Sequence, residues 1–349
     1  MVPMRVIHII PYDGIGGVEA AARSLPARRS GSILFEKCFL VQKASLEAKD
    51  HEYHGRYLSE NDPRAYIAAA KWIVRRNPEV VIASLWRSCA VLILVKLLRP
   101  KIRAVTFLHL DRNVHWFDRI LNGLGMRIST EIWADSQSTL IARVPDQLQR
   151  RGRVISMRTN VLEAEKKYNP DPTFVFWGRL HTQKGLDRAL RVFSKIFATY
   201  PEAKFDIIGP DGGEKKNLER QIEELGLQNA VQFLGAKSQE EVFTIGRVHS
   251  FYLQTSEVEG LAMSVAEAMQ LGLVPVVTPV GEIAKYCRAG ENAIMVTSDE
   301  EAVLGILDAL EAPLVYQSLS KEAAFTSMNT PLYKDDVLAA CRKISMGAH

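Results

Sequence analysis

The chain has 349 residues, of which 47% are hydrophobic and 24% charged, with a net charge of +4 at pH 7. This composition is typical of a globular protein and excludes collagen-like and disordered chains, while the length favours two domains. The four scattered cysteines form no CxxC pair, which indicates a reducing compartment and no metal signature. The opening, MVPMRVIHIIPYDG, predicts a strand rather than a signal peptide, so we expect a cytoplasmic protein.

The charge is divided unevenly between the two halves. Residues 1–160 carry 25 Lys/Arg against 14 Asp/Glu, a balance of +11, and the remaining residues carry 19 against 26, a balance of −7. One interpretation is an ordinary solvated surface. The other is that the first half contacts something anionic, either a phospholipid surface or a phosphate-bearing substrate.

Short apolar runs alternate with amphipathic stretches along the whole chain. The first half predicts strands at RVIHII, SILFEKCFLV, VVIASL, AVTFLHL and EIWADS, with helices at 17–25 and 63–75. After a charged, proline-containing linker, VLEAEKKYNPDPT, the second half predicts strands at TFVFWG, KFDIIG, VQFLG, HSFYLQTS and VPVVTP, and a last helix at 335–344. This alternation predicts an α/β protein of two Rossmann-like, doubly wound domains, 1–163 and 164–329, followed by the helical segment 330–349.

Two features of the first half follow predicted strands. The turn PYDGIGGVEAA contains Gly16 and Gly17, but Glu19 stands where a dinucleotide fingerprint has its third glycine, so a substrate-contacting loop fits better. His109 follows AVTFLHL, where a neutral imidazole could hydrogen-bond a ligand hydroxyl or the reacting group. A purely structural histidine is the alternative.

In open α/β sheets, ligands bind beyond the carboxyl ends of the strands, which directs attention to the residues after TFVFWG. Gly178 lets the chain leave the strand, and Arg179 and Lys184 then precede a helix that begins near Gly185. A guanidinium, an ammonium and a helix start together suit a diphosphate. Two basic surface residues beside a turn are the alternative.

A second group of candidates follows HSFYLQTS, in the segment EVEGLAMSVAEAMQ. Gly260 and Ala262 leave backbone N–H groups uncovered at the turn into a helix, which suits an anion or hydroxyl groups. Glu267 lies on the inward side of that helix, where a carboxylate is costly unless it accepts hydrogen bonds. The vicinal hydroxyls of a ribose would supply two. A glutamate that snorkels to solvent or pairs with a lysine is the alternative.

Taken together, these motifs resemble the retaining glycosyltransferases of the GT-B class called group 1, or family 4. The close resemblance covers about residues 170–297, and the first half matches more loosely. The matching residues are Gly178-Arg179-Leu180, Lys184-Gly185, Ile208-Gly209-Pro210-Asp211-Gly212, Val231-Gln232-Phe233-Leu234-Gly235, Ser256, Glu259, Glu267-Ala268-Met269, Gly272 and Pro275, with Gly16-Gly17, His109, Ser136 and Asn160 in the first half.

The resemblance implies two domains that face a cleft, with a nucleotide diphosphate sugar as donor and no other cofactor. It implies that Arg179 and Lys184 bind the diphosphate, Glu267 the ribose, and that Phe233-Leu234 edge the base. The donor sugar would contact Glu259 and the backbone of Gly260, Leu261, Ala262 and Met263.

In the first domain, the resemblance implies that His109 faces the donor sugar and that Gly16-Gly17 lie near the phosphate or acceptor. The terminal helix would pack back on this domain. The catalytic group would be His109, Glu259, Arg179 and Lys184, with retention of configuration. No DxD motif occurs in the chain, so we expect no dedicated metal site.

The acceptor is expected to be a glycan or a lipid-linked oligosaccharide of a bacterial envelope polysaccharide, and nucleic acid is not expected. Trp72 near Arg75-Arg76, and Trp116 near Arg112 and Arg119, predict peripheral contact with the inner face of the cell membrane. Two alternatives stay open: a sugar-nucleotide epimerase, and a noncatalytic nucleotide-sugar-binding subunit. Leu261 and Ala262, which replace an aromatic residue and a glycine usual in the family, leave the donor sugar open.

Overall fold

The computed structural model describes residues 3–14, 17–26, 33–42, 52–55, 59, 61–164, 169–328 and 330–347. The chain divides into two compact units, which are treated separately below. Unit 1 comprises Met1–Thr159 with Pro331–His349, and unit 2 comprises Asn160–Thr330. Each unit contains one parallel β-sheet together with helices, which confirms the predicted two-domain α/β fold.

Unit 1 is built on a sheet in the order β3-β2-β1-β4-β5-β6-β7, with every neighbouring pair parallel. The order reverses between β1 and β4, as in a doubly wound sheet with helices on both faces. Its strands are β1 (Met4–Asp13), β2 (Ile33–Gln42), β3 (Glu52–His54), β4 (Val80–Ser84), β5 (Arg103–Leu108), β6 (Glu131–Ala134) and β7 (Gly152–Val154). Its first five helices are α1 (Gly17–Ser24), α2 (Pro63–Arg76), α3 (Leu85–Leu98), α4 (Trp116–Ile128) and α5 (Gln137–Arg143).

Unit 2 has a parallel sheet in the order β10-β9-β8-β11-β12-β13, which reverses between β8 and β11. The strands are β8 (Thr173–Trp177), β9 (Lys204–Ile208), β10 (Val231–Gly235), β11 (Phe251–Gln254), β12 (Val274–Val277) and β13 (Ile294–Met295). The helices are α6 (Leu186–Thr199), α7 (Lys215–Glu224), α8 (Gln239–Arg247), α9 (Met263–Gln270), α10 (Ile283–Tyr286), α11 (Asp299–Glu311) and α12 (Pro313–Met328).

The last helix, α13 (Tyr333–Met346), belongs to unit 1. The Tyr333 amide donates to the Arg158 carbonyl over 2.7 Å, and the Tyr333 ring stacks on Phe107 at 6.4 Å between centroids. Asp336 accepts a hydrogen bond from the Ser156 amide at 2.9 Å. These contacts tie α13 to the inner strand β5 and to the segment that follows β7.

Each unit buries its own apolar core, and local sequence patterns account for its central strands and for the ends of helix α2. Strands β1, β4 and β5 are buried nearly throughout, as expected of central parallel strands. Helix α2 begins with Asp62 as N-cap and Pro63 behind it, and ends at a left-handed Asn77. Among the described residues no single helix is long and apolar enough to cross a membrane, although one pair bent by 109°, Asp299–Glu311 with Pro313–Met346, meets the length and composition criteria together.

Candidate active site

The predicted site residues of unit 2, apart from Phe233 and Leu234, gather where its strand order reverses. Strand β8 ends at Trp177 and leads into residues 178–185, and β11 ends at Gln254 and leads into residues 255–262. These two strands are neighbours in the sheet, so both loops leave from the same edge. A crevice at such a reversal is where doubly wound sheets bind their ligands.

Two glycines allow the loops at this edge to touch. Gly185 has φ +60°, and a side-chain carbon there would lie 2.0 Å from the Thr255 carbonyl oxygen. Gly281 has φ +56°, and a side-chain carbon there would lie 2.1 Å from the Glu259 carbonyl oxygen. Because real atoms never approach so closely, only glycine fits at either position, and the loop carrying Glu259 rests directly on the backbone at Gly281.

Lys184 and Glu259 form a nearly buried ion pair. The Lys184 ammonium lies 2.6 Å from Glu259 Oε1, and the Glu259 side chain is 7% exposed. The same oxygen accepts hydrogen bonds from Ser256 Oγ at 2.7 Å and Gln254 Nε2 at 3.0 Å. Three donors therefore converge on one carboxylate oxygen, which offsets the cost of placing its charge inside the protein.

Gln254 is a buried residue of the site that the sequence patterns did not single out. Its amide oxygen accepts from Tyr252 Oη at 2.7 Å and from Ser264 Oγ at 3.0 Å, which fixes its amide nitrogen as the donor to Glu259. The orientation of Glu259 thus depends on a relay of side chains from β11 and α9. A polar residue at the tip of an apolar strand was the available signal.

Arg179 differs from Lys184 because its charge has no partner. In the part of the chain that the structure describes, the Arg179 guanidinium makes no hydrogen bond or ion pair, and the residue is exposed. Its stem passes close to Gly212, where a side-chain carbon would lie 2.8 Å from Arg179 Cγ. The next residue, Leu180, is held by its amide, which donates to the Pro210 carbonyl at 2.9 Å. The fold therefore fixes the start of the side chain and leaves its charged end available.

Glu267 sits on α9 facing the end of β8, as a partly buried carboxyl with a hydrogen bond on each oxygen. Oε2 accepts from Trp177 Nε1 at 3.1 Å and Oε1 from Gln239 Nε2 at 3.0 Å. Some of its surface remains accessible to solvent, but protein surrounds the carboxyl group closely enough that burial raises its pKa to about 7, against the smaller opposing effect of the two hydrogen bonds. No lysine pairs with it among the described residues.

The predicted sugar-contacting segment forms the start of α9. Ala262 is the N-cap, with φ +55° and ψ +65°, a left-handed conformation that alanine adopts only at a cost. The Tyr286 hydroxyl donates to the Leu261 carbonyl at 2.9 Å, and the Gly260 carbonyl accepts from the Glu282 amide at 3.0 Å. Residues 260 and 261 are thus anchored by two residues that follow Gly281, the N-cap of α10 and the last residue of that helix.

The other predicted residues of unit 2 lie nearby or at the sheet edge. Met263 is the first residue of α9, and Gly178, with φ +156°, brings its backbone to the Lys184 stem, since a side-chain carbon there would lie 3.8 Å from Lys184 Cε. Phe233 and Leu234 belong to the edge strand β10, partly buried against the core.

In unit 1, His109 is buried and turned inward. Its Nε2 lies 2.9 Å from Ser84 Oγ, which also lies 2.8 Å from His8 Nε2, so the hydroxyl can donate to one ring and accept from the other. Burial, reinforced for His109 by His8 and for His8 by Lys37, lowers the pKa of both imidazoles to about 3, so both are neutral. Within the described residues, Nδ1 of each ring is buried without a hydrogen-bond partner.

Only part of the glycine-containing turn of unit 1 lies within the described residues. Gly17 is the first residue of α1, whereas Gly16 lies outside the described residues. The described residues contain no group of three His, Cys, Asp or Glu side chains that could hold a metal ion.

A cavity of about 530 Å³ opens beside the unit 2 site. It lies between the start of α6 and the loops that follow β11 and β12, and Gly185, Thr255 and Ser256 border it. Neither Arg179 nor Glu267 lines it. Arg179 and Glu267, which are predicted to bind the ligand, therefore lie outside this cavity, near the carboxyl end of β8.

Comparisons with known proteins agree with this architecture. Residues 157–324 match the family described as glycosyl transferases group 1. The predicted resemblance to group 1 glycosyltransferases is confirmed for this stretch, which covers most of unit 2. A crystal structure of Anabaena Alr3699/HepE in complex with UDP-glucose covers 98% of this chain and 100% of its own with a TM-score of 0.81 at 16% identity, which shows the GT-B fold for the pair of units.

Two curated relatives match part of the chain. The phosphatidylinositol N-acetylglucosaminyltransferase gpi3 subunit of Schizosaccharomyces pombe is 32% identical over 137 residues, which are 37% of this chain and 30% of the relative. GDP-mannose:cellobiosyl-diphosphopolyprenol alpha-mannosyltransferase of Xanthomonas oryzae is 27% identical over 143 residues, 40% of this chain and 38% of the relative. The matched stretch spans less than half the length of these relatives.

Proposed function

We propose that the protein is a glycosyltransferase that moves a sugar from a nucleotide diphosphate sugar to an acceptor hydroxyl, with retention and without a metal ion. The observation that carries this proposal is the group at the reversal of the unit 2 sheet. There the Arg179 guanidinium, which has no hydrogen bond or ion pair within the described residues, lies on the loop that also carries Lys184, which is held by Glu259. Two cations that follow one strand end suit a diphosphate.

The proposed chemistry needs charge stabilisation more than proton transfer by the protein. The acceptor oxygen bonds to carbon 1 of the sugar as the bond from carbon 1 to the phosphate oxygen breaks, and the nucleoside diphosphate leaves with the electron pair. The acceptor proton passes to the departing phosphate oxygen. Arg179 and Lys184 stabilise the negative charge that develops there, since donors already in place cost no reorganisation during the reaction.

Glu267 and Glu259 take different parts in this proposal. Each Glu267 oxygen accepts one hydrogen bond from the protein and keeps lone pairs for the two ribose hydroxyls. Glu259 fixes Lys184 and carries the backbone of residues 260–263 that contacts the donor sugar. His109 supplies a neutral imidazole in unit 1, and Phe233-Leu234 edge the base.

We propose a lipid-linked or polysaccharide acceptor, in envelope glycan synthesis. The support is that both reported relatives are named for acceptors that carry a lipid, phosphatidylinositol in one and a diphosphopolyprenol in the other. Their names concern those proteins, and the uneven charge of this chain, with its basic first half, is the independent observation in the same direction.

The test begins with a calorimetric screen of nucleoside diphosphates and their sugars, followed by incubation of the tightest donor with polyprenyl diphosphate glycans. Mass spectrometry should show an acceptor heavier by one sugar, and nuclear magnetic resonance should show the anomeric configuration retained. A donor epimerised without acceptor would instead identify an epimerase. Tight binding with neither product across the acceptor panel would identify a noncatalytic subunit, and no binding at all would refute the proposal.

A further inference from the structure

Helix α4 of unit 1 exposes an unusual amount of apolar surface. Between 41% and 66% of each of five apolar side chains on this helix and in the residues just before it is open to solvent. These side chains are Val114, Trp116, Phe117, Ile120 and Leu124. Scattered exposed apolar residues are ordinary, but a contiguous patch of this size marks an interaction surface.

The helix is amphipathic with its polar side turned inward. Its buried residues include Asp118 and Asn122, which bond to each other over 2.5 Å, and Asp118 also lies 3.5 Å from Arg143. Trp116, Ile120 and Leu124 recur at four-residue spacing and therefore share the opposite, outward face. The polar groups stabilise the helix within the unit, whereas the core clusters formed by the described residues of unit 1 do not include Trp116, Ile120 or Leu124.

The exposed charged residues of the segment 112–128 have one sign. Arg112, Arg119 and Arg127 are exposed beside it. The only acidic residue within 112–128, all of which the structure describes, is Asp118, and it is buried. Apolar side chains flanked by arginines alone match a surface that is both apolar and negatively charged.

Three aromatic side chains cluster at the N-terminal end of the stripe. Trp116 stacks on Phe117 with ring centroids 3.6 Å apart, and Trp86 lies 6.2 Å from Phe117. Aromatic rings of this kind favour the boundary between lipid headgroups and acyl chains.

We propose that the outward face of α4, which we call the α4 face, docks this protein onto an anionic phospholipid membrane. The α4 face consists of Trp116, Phe117, Ile120 and Leu124 with Arg119 and Arg127. Trp72, the other tryptophan predicted to contact a membrane, does not belong to it: its ring packs on Tyr53 at 5.3 Å, and Arg76 lies 5.1 Å above it. This proposal needs no sugar nucleotide, so it stands or falls apart from the proposed function.

The test is co-sedimentation with vesicles of equal parts phosphatidylcholine and phosphatidylglycerol, with pure phosphatidylcholine as comparison. We expect binding to the mixed vesicles only, weakening with salt. The double variant Trp116→Ser, Ile120→Ser should bind at least about tenfold more weakly, because two apolar side chains that the proposal buries in the membrane are lost. Arg119→Glu with Arg127→Glu should lower binding to mixed vesicles by a similar factor.

Matched controls come from unit 2. Leu304 is 66% exposed and Arg220 has a 69% exposed side chain, so Leu304→Ser and Arg220→Glu change the same properties elsewhere. Both controls should bind vesicles like the wild type, and circular dichroism and nucleotide affinity should be unchanged in every variant.

Three results would overturn the proposal: a wild type that ignores the mixed vesicles, α4-face variants that bind as well as the controls, or a dimer in ultracentrifugation without lipid that Trp116→Ser dissociates. The last would make the α4 face a contact between two copies. Loss of vesicle binding with intact donor binding would support it, whatever the transfer assay shows.

Discussion

Both units reverse their strand order near the middle of the sheet, but the side chains at the reversal differ in charge. In unit 1, neutral imidazoles of His8 and His109 meet at Ser84, the last residue of β4. In unit 2, Lys184 and Glu259 form an ion pair, and Arg179 on the same loop as Lys184 has no ion-pair partner among the described residues. A common fold therefore does not fix the ligand. The charged reversal suits phosphate, and the neutral one suits hydroxyl groups.

The largest effect should follow from removing the cations of unit 2. We expect Arg179→Ala and Lys184→Ala each to weaken donor binding by about 10- to 100-fold, since a hydrogen bond to a charged group contributes roughly 1.5–3 kcal/mol. Calorimetry with the tightest nucleotide sugar measures this, and Arg220→Ala, on the exposed face of α7, is the control. Unchanged affinity and transfer in both variants would refute the clamp.

Stability should separate the same two variants. Lys184→Ala leaves the buried Glu259 carboxylate without its cation, so the free energy of unfolding should fall by about 2 kcal/mol. Arg179→Ala removes no hydrogen bond or ion pair within the described residues and should change this free energy by less than about 0.5 kcal/mol. Urea titration provides the measurement.

In unit 1, a substitution between the two neutral histidines should change protein stability rather than donor binding. Ser84→Ala removes the hydroxyl between two buried rings and should lower the free energy of unfolding by roughly 1–3 kcal/mol, without changing donor affinity. Ser88→Ala is the matched control, because Ser88 is also buried but its hydroxyl makes no hydrogen bond within the described residues. Equal losses in the two variants would show that the bridge contributes nothing.

The pH dependence of donor affinity should reveal the state of Glu267. Its pKa is raised to about 7, and only the ionised carboxylate accepts from both ribose hydroxyls, so affinity for a nucleotide sugar should rise about tenfold from pH 6 to pH 8. Glu267→Gln should abolish the rise. A flat wild-type profile would contradict the ribose assignment.

Glu267 and the two buried histidines should change the free energy of unfolding in opposite directions as pH rises. The folded state holds the Glu267 proton more tightly than the unfolded chain, so this residue lowers stability as pH rises from about 4.5 to 7. His8 and His109 hold their protons less tightly when folded, so their contribution is full above about 6.5 and is lost as pH falls toward 3.

The smallest predicted effect concerns the start of α9. Ala262→Gly should raise the free energy of unfolding by about 0.5–1 kcal/mol, because glycine adopts the left-handed conformation without strain. Ala266→Gly, inside the same helix, should lower it by about as much. Thermal unfolding of the two variants side by side measures the difference, and destabilisation by both would show that Ala262 is unstrained.

The sequence predicted the long buried strands because an apolar run between turn residues is visible locally. It did not predict β3, β7 or β13, which are two or three residues long and too short to show a pattern. Their strand character comes from pairing with a neighbour that is already in place.

The site shows the same limit. The Gly178-Arg179 and Glu259–Glu267 motifs were recognisable because each lies within nine consecutive residues. The Lys184–Glu259 pair joins residues 75 positions apart, and the role of Gln254 depends on hydroxyl groups from β11 and α9. Such partners follow from tertiary placement, which local patterns do not encode.

The contact at Gly281 has a consequence for how donor choice could change. The Glu259 carbonyl occupies the space that any side chain at position 281 would need. A substitution of Gly281 would therefore displace the loop of residues 259–261, together with Lys184, which pairs with Glu259. Leu261, whose carbonyl is held by Tyr286 while its side chain remains partly exposed, is instead free to vary. Engineering of sugar preference should therefore keep residue 281 constant and diversify position 261.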